Sequence, residues 1–375
     1  MKNIALRILF IAVMIWAATG LSFGVTVLQK SDTTPQLDIT GYQWDRYTAA
    51  YTDSSETGSG FTIPRTYITT QLKSDDYEGR LTLDINNVQY AQGATSTATT
   101  GTIDWGIWVK YGYVDLINMP YFKMADLRVR IGQQPVYFGE IDTWQYPIIE
   151  KSLEDVLSLV SSADQGFAVV GNLPMGYGDY QIEATNGSGY KQIDGNLGKQ
   201  ITGSINIVPV AGVGLRYSYL SNNTGENRLI ASTGQPSTLF AANEVQALAI
   251  NYSTGPIEGY LEGVQAEKKD SGTTSGILQA CSAYLGLKVI DQAQVVLRID
   301  TINPDTKVQR DEYNRYIAGV NYFIAKNCTL QLNYEMTQEK IKGSKINPIT
   351  PGPLDSVGSN ASNANQLLAQ MVWGW

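Results

Sequence analysis

Apolar and polar residues alternate along most of this chain with a period of two. Leu81, Leu83 and Ile85, for example, are separated by Thr82 and Asp84. Such alternation predicts β-strands with one apolar and one polar face. Sixteen segments show it, and an even number of antiparallel strands would return both chain ends to the same side. The segments are residues 36–50, 61–74, 77–90, 104–117, 124–134, 164–171, 178–187, 199–208, 211–220, 243–252, 256–267, 277–289, 293–301, 313–323, 328–339 and 364–375.

The connections between these segments fall into two length classes. Tight turns are predicted at 74–76, 209–210, 291–292 and 326–327, and longer connections at 91–103, 135–163, 221–242, 268–276, 302–312 and 340–363. Short turns at one rim and long loops at the other are typical of outer-membrane barrels. The pattern therefore predicts an all-β fold, a transmembrane antiparallel β-barrel of about sixteen strands. A barrel of that size encloses water, because side chains cannot fill its lumen.

The last segment has the length that a tilted strand needs to cross a bilayer, roughly 9 to 11 residues. Leu367, Ala369 and Met371 share its apolar face, whereas Gln366 and Gln370 share the other. Aromatic residues often occupy the ends of the predicted strands, which suits rings at two membrane interfaces. A secreted soluble sandwich would also alternate and stays open as an alternative. The aromatic residues in question are Trp105, Tyr113, Tyr316, Tyr322, Trp373 and Trp375.

The first residues have the features of an export signal. Lys2 and Arg7 precede an apolar run over residues 8–18, and small residues follow. We expect a signal peptide of residues 1–24, cleaved after Gly24 or alternatively after Gly20, and a single barrel domain over residues 25–375. The rest of the chain has no apolar run of eighteen residues, so a membrane protein of this sequence would have to be a closed barrel. The expected location is the outer membrane of a Gram-negative-type bacterium.

Composition excludes several classes of function. The chain has 35 acidic and 27 basic residues, and removing residues 1–24 with their two basic groups leaves a net charge of about −10. That balance disfavours nucleic-acid binding. The absence of histidine excludes Ser-His-Asp and Cys-His catalysis and every histidine-containing metal site. Two cysteines do not make a disulfide framework. We therefore expect no enzyme activity, no cofactor and no metal site.

The long connection at 135–163 differs from a plain polar loop. Apolar residues recur there at helical spacing, which predicts a short helix with an apolar face; they are Ile149, Leu153, Val156, Leu157 and Val160. Folding into the barrel would bury that face and narrow the pore. A loop outside the barrel, with its acidic residues facing water, is the alternative.

Charged residues on the polar faces would line such a pore. An acidic loop opposite basic wall residues such as Arg128 and Arg130 would set a transverse electric field across a constriction. From this arrangement we expect a weakly selective or mildly cation-preferring pore. The candidate pore-lining and constriction residues are Arg80, Lys110, Arg128, Arg130, Arg216, Arg298 and Arg315 on the wall, and Glu140, Asp142, Glu150, Glu154 and Asp155 on the loop.

Several stretches also share a pattern with a known family. They are Pro64-Arg65 through Gln71-Leu72, the run Tyr77-Glu78-Gly79-Arg80-Leu81-Thr82-Leu83-Asp84, the run Leu127-Arg128-Val129-Arg130-Ile131-Gly132-Gln133-Gln134-Pro135-Val136-Tyr137-Phe138-Gly139-Glu140, Asp164-Gln165-Gly166-Phe167 with Gly171, and Asn186-Gly187. In these stretches the chain resembles the phosphate-selective porins O and P.

The resemblance implies a sixteen-stranded, trimeric outer-membrane channel whose third loop folds into the lumen. Anion selectivity in that family depends on basic residues in the pore, whereas this chain has eleven arginines and an acidic loop. Trp375 also stands where the family usually ends in phenylalanine. The expected function is passive diffusion of small hydrophilic solutes or ions through a homotrimeric porin surrounded by outer-membrane lipid. The alternative is a non-conducting barrel that has a structural role or sheathes a partner.

Overall fold

The computed structural model describes residues 25–31, 34–52, 55–89, 103–119, 126–192, 194, 198–222, 243–270, 273–307, 312–339 and 363–374. The predicted signal peptide lies outside the described residues, as does Trp375. Nearly all of the regular structure is β-strand. The strands are β1 (Val25–Leu28), β2 (Gln36–Thr52), β3 (Ser55–Lys73), β4 (Tyr77–Gln89), β5 (Ile103–Leu116), β6 (Leu127–Pro135), β7 (Ala163–Asn172), β8 (Gly178–Thr185), β9 (Gln200–Val210), β10 (Val213–Asn222), β11 (Glu244–Thr254), β12 (Ile257–Asp270), β13 (Thr273–Ile290), β14 (Ala293–Asn303), β15 (Tyr313–Ala325), β16 (Cys328–Glu339) and β17 (Asn363–Gly374).

Strands β2 to β17 form one closed ring. Each pairs antiparallel with the next along the chain, and β17 pairs back to β2, with Gln370 opposite Arg46. The short β1 adds to the same edge of β2, with Val25 opposite Ile39. The prediction of a sixteen-stranded antiparallel barrel is confirmed, and each predicted segment overlaps one of its strands. Closure leaves no open sheet edge, which is the condition for a sheet to stand in hydrocarbon.

The two faces of the barrel wall differ as the alternation predicts. On β14, Leu297 and Ile299 face outward and are 46% and 50% exposed, whereas Arg298 and Asp300 point inward and are buried. The same arrangement around the ring forms an outward apolar belt. A belt of that extent would be unstable in water and matches a lipid environment. Within the described ranges, no helix is both long enough and apolar enough to cross a membrane.

A β-bulge in β5 exchanges the two faces of that strand. Lys110 is an extra residue between the pairs that Val109 and Tyr111 make with β4. Lys110 and Tyr111 consequently both line the lumen. Beyond the bulge Tyr113 also faces inward, with the Arg130 guanidinium 4.2 Å from its ring centre. The prediction that Tyr113 anchors a membrane interface is therefore wrong, because one inserted residue reverses every side chain that follows it.

Two predicted connections also differ from the structure. Residues 268–276 were expected to form a long loop, but β12 continues to Asp270 and β13 begins at Thr273, so most of them extend a hairpin. The turn expected at 209–210 lies at 211–212. At 268–276 polar residues continue both strands beyond the part that alternates, whereas at the other turn β9 continues through Pro209 and Val210.

The connection between β6 and β7, residues 136–162, folds into the lumen, as predicted. We call this segment the inner loop. It contains the predicted short helix, α1 (Leu153–Val156). A helix of four residues is too short to be stable alone, so it depends on tertiary packing. Phe138, Leu153 and Leu157 of the inner loop pack against inward-facing apolar residues of the wall, including Leu220 and Ile302.

Candidate functional site: the constriction at the inner loop

The inner loop is fixed to one side of the barrel by buried arginines. Arg315 on β15 contacts Glu150 of the loop and also Glu335, whose Oε1 lies 2.6 Å from Nη2. Arg298 on β14 donates from Nη1 to the Lys151 carbonyl at 2.5 Å. Its Nε pairs with Asp300 at 2.7 Å. Arg298 thus binds a backbone carbonyl of the loop, and Arg315 binds a carboxylate of the loop. Arginine suits both tasks because its planar guanidinium presents several N–H donors in a fixed fork.

A third arginine holds the beginning of the loop. Arg216 on β10 donates from Nη1 to the Gly139 carbonyl at 2.7 Å and to Asp142 Oδ1 at 2.9 Å. Gly139 in turn donates its N–H to Ser218 Oγ at 3.0 Å. The acidic residues of the loop that sequence analysis selected are thus largely engaged by the wall of β10 to β16.

The tip of the loop is fastened by neutral hydrogen bonds. Asn321 donates to the Pro147 carbonyl at 2.7 Å, and Gln331 donates to the Tyr146 carbonyl at 3.0 Å. Arg65 on β3 donates from Nη1 to the Tyr146 hydroxyl at 2.7 Å. The tip of the loop therefore contacts one continuous arc of the wall, which runs from β15 and β16 to Arg65 on β3.

Two carboxyl groups of the loop lie in surroundings that disfavour their charge. Burial raises the pKa of Asp142 to about 7, although Arg216 opposes the rise and Glu140 adds to it. Burial also raises the pKa of Glu154, whose fully buried side chain lies against that of Glu262 on β12. The cause in both cases is loss of water around an ionised carboxylate.

The open part of the lumen lies on the other side of the loop. It is a cavity of about 1350 Å³ bounded by β2 to β5, by the loop and by part of the β10 to β17 wall. Four of the candidate pore residues line it, namely Arg80, Lys110, Asp142 and Asp155. Such a volume admits water and small solutes.

Aromatic rings hold the cations on the β3 to β5 wall. The Arg65 guanidinium carbon lies 5.1 Å from the Tyr67 ring centre. Lys110 Nζ is 4.9 Å from the same ring and donates to its hydroxyl at 2.7 Å. On the far side of Lys110, the Arg80 guanidinium carbon lies 4.5 Å from the Tyr111 ring centre. We call Arg65, Tyr67, Lys110, Tyr111 and Arg80 the ring-held column.

Arg128 and Arg130 do not contact the inner loop as sequence analysis expected. Arg130 makes a two-pronged contact with Asp115 on β5, at 2.7 and 2.8 Å. Arg128 lies 3.8 Å from the same carboxylate. Their partner is the neighbouring strand, because β6 and β5 are paired at this height and place Arg130 opposite Asp115.

Sequence analysis missed Arg46 and Arg65 as lumen residues. Between the pairs Trp44–Arg65 and Arg46–Thr62, β3 has two residues where β2 has one, and this extra residue in β3 breaks the alternation there. One feature of the sequence could have indicated the position of Arg65, because Trp44 and Arg65 lie in consecutive predicted strands. In the structure the Arg65 guanidinium carbon lies 5.2 Å from the Trp44 ring centre. Within the described ranges, no three acidic or cysteine side chains converge to hold a metal ion.

Comparisons with known proteins show the same architecture. The anion-selective porin of Comamonas acidovorans superimposes with a TM-score of 0.59 at 11% identity, over 91% of this chain and all of that one. The fold is porin-like. OmpT, an outer membrane protein of Vibrio cholerae, matches with a TM-score of 0.60 at 12% identity, over 93% of this chain and all of that one. OprB of Pseudomonas putida matches with a TM-score of 0.59 at 11% identity, over 90% and 94%.

No family model and no curated protein matches the chain. At these identities the structural likeness defines the porin-like, outer-membrane-type barrel and does not transfer a solute or a site.

Proposed function

We propose that the chain is an outer-membrane porin, a water-filled channel for passive diffusion of small hydrophilic solutes or ions. The observation that carries this proposal is an open cavity of about 1350 Å³ beside a loop that is anchored inside a closed barrel. Export by the signal peptide at residues 1–24, location in the outer membrane of a Gram-negative-type bacterium and a homotrimeric assembly belong to the same proposal. No covalent chemistry takes place in it.

The candidate pore residues then have two roles. Arg80, Lys110, Asp142 and Asp155 contact the solute path, because they line the cavity. The remaining candidates set the width of the path by holding the inner loop, or stabilise the wall. Loop carboxylates on one side and ring-held cations on the other give the transverse field that orients polar solutes.

The purified protein, refolded into a planar bilayer, should produce stepwise increases in conductance at low voltage. A water-filled passage conducts as each copy inserts, so the steps should be uniform in size. The same protein without refolding is the control and should give no steps. A correctly folded barrel that never conducts would contradict the channel and favour the structural or partner-sheathing barrel.

A further inference from the structure

The cations of the lumen fall into two groups that differ in what holds them. Arg216 and Arg315 contact carboxylates at ion-pair distance, and Arg298 does so as well. Arg80 and Lys110 are held instead by aromatic rings and hydroxyl groups. Among the described residues, no carboxylate forms an ion pair with either of them. A ring fixes a cation in position without cancelling its charge.

We propose that Arg80 and Lys110 bind the carboxylate group of small organic acids inside the lumen. This inference rests on the proposed channel function and names a solute class for it. Both side chains line the open cavity, and both lie against the Tyr111 ring, at 4.5 Å for Arg80 and 5.5 Å for Lys110. An anion in the cavity beside that ring would lie near both charges.

The bulge in β5 makes this pair possible. In a regular strand Lys110 and Tyr111 would point to opposite faces, whereas here both line the cavity. Bulges commonly redirect a side chain at functional positions. The bulge therefore turns the Tyr111 ring to the lumen side, where both Lys110 and Arg80 lie against it.

Hydrogen-bond capacity remains on both groups. Arg80 uses its Nε to donate to Thr82 Oγ1 at 3.0 Å, which leaves the two terminal nitrogens of the guanidinium fork for an anion. Lys110 uses one of its three donors on the Tyr67 hydroxyl at 2.7 Å. A planar fork beside a point charge suits a carboxylate, which has two coplanar oxygens.

The surroundings favour a singly charged organic anion over inorganic phosphate. Asp155 lines the same cavity, and its carboxylate would repel a doubly charged anion more strongly than a singly charged one. Tyr42 and Tyr67 also line it and offer apolar ring surface to an organic body. The expectation of a weakly selective or mildly cation-preferring pore rested on the acidic loop, in which Asp142 and Glu150 are paired with wall arginines.

The test uses the full protein in planar bilayers with potassium chloride, and benzoate as the probe. Benzoate should reduce the open-channel current in a concentration-dependent manner. Arg80→Gln and Lys110→Met should each weaken that block by about tenfold or more, the effect of removing one charge-assisted hydrogen bond. The double variant should abolish the block.

Lys288→Met is the matched control, because Lys288 lines the same cavity but pairs with Asp291 at 3.7 Å. Benzoate should block the Lys288→Met variant as strongly as it blocks the unmodified protein.

Two further probes sharpen the test. Benzyl alcohol, which lacks the charge, should not block, and inorganic phosphate should block more weakly than benzoate. Equal block by either compound, or unchanged block in both single variants, would overturn the proposal.

Titration calorimetry of the folded protein in detergent separates this proposal from the channel itself. Benzoate binding without conduction would reject the channel function and support the carboxylate-binding site. Conduction without benzoate block and without a calorimetric heat of benzoate binding would reject the binding site and leave the channel function supported.

Discussion

Replacing Arg315 by methionine is expected to release the inner loop from the wall and to increase single-channel conductance. Arg315 is 1% exposed and is surrounded by Glu150, Asp300 and Glu335. Methionine fills a similar volume but leaves three buried carboxylates with too little positive charge. Breaking a buried ion pair from one side costs roughly 3 to 5 kcal/mol, because the remaining charge is uncompensated. Part of that penalty falls on the contact between loop and wall through Glu150, and part on the wall itself, where Asp300 and Glu335 lie.

Two measurements check this expectation. Single-channel recordings should show larger and noisier conductance in Arg315→Met, and denaturant unfolding in lipid vesicles should show a lower free energy of unfolding. Arg128→Met is the matched control, since Arg128 is also a lumen arginine but has a side chain that is 41% exposed and lies 3.8 Å from Asp115. Exposed pairs of that kind contribute about 0 to 1 kcal/mol. Equal behaviour of the two variants would show that Arg315 does not hold the loop.

The partner of Arg315 illustrates what sequence alone could predict. Residues 313–323 alternate, so their strand and the inward direction of Arg315 followed from the pattern. The acidic inner loop was also recognised, together with its short helix. The sequence could not show which arginine meets which acid, because that depends on the path of a loop across the lumen. Arg128 and Arg130 were selected for a role that Arg216 and Arg315 have in the structure.

Bulges are a second feature that the sequence could not predict. Lys110 was correctly placed on the polar face, but strict alternation would put Tyr111 on the opposite face. Alternation carries no sign of an inserted residue when the residues after it are tyrosine and glycine, which occur on either face of a strand. The ring-held column depends on that insertion, so it emerged only from the structure.

Raising the pH from about 5 to 9 is expected to loosen the inner loop and to increase conductance. The pKa of Asp142 is raised from 3.8 to about 7, and the pKa of Glu154 is raised as well. A group whose pKa is higher in the folded state stabilises that state fully below its unfolded pKa. That contribution is lost as the pH rises through the folded pKa. For Asp142 the loss therefore begins near pH 4 and continues through pH 7.

The groups around these carboxyls determine the direction of the change. Glu154 faces Glu262 from β12 and Glu140 from the loop itself. Ionisation of Glu154 and Glu262 brings two negative charges together, and neither of these two residues has an ion-pair partner among the described residues. Asp142 faces Arg216 from β10 and Glu140, and Glu183 on β8 also acts on it. Repulsion at Glu154 should therefore push α1 away from the wall at high pH, while Arg216 keeps the beginning of the loop in place.

The decisive measurement compares conductance as a function of pH in three proteins. The double variant Glu154→Gln and Glu262→Gln cannot develop this repulsion, so its conductance should rise much less with pH than that of the unmodified protein. Glu258→Gln is the control, because Glu258 lies on the same strand as Glu262 but accepts hydrogen bonds from Tyr284 and Gln294 of the wall. It should keep the full pH response. A double variant with an undiminished response would place the titrating group outside the Glu154 and Glu262 pair and leave Asp142 as the group to replace next.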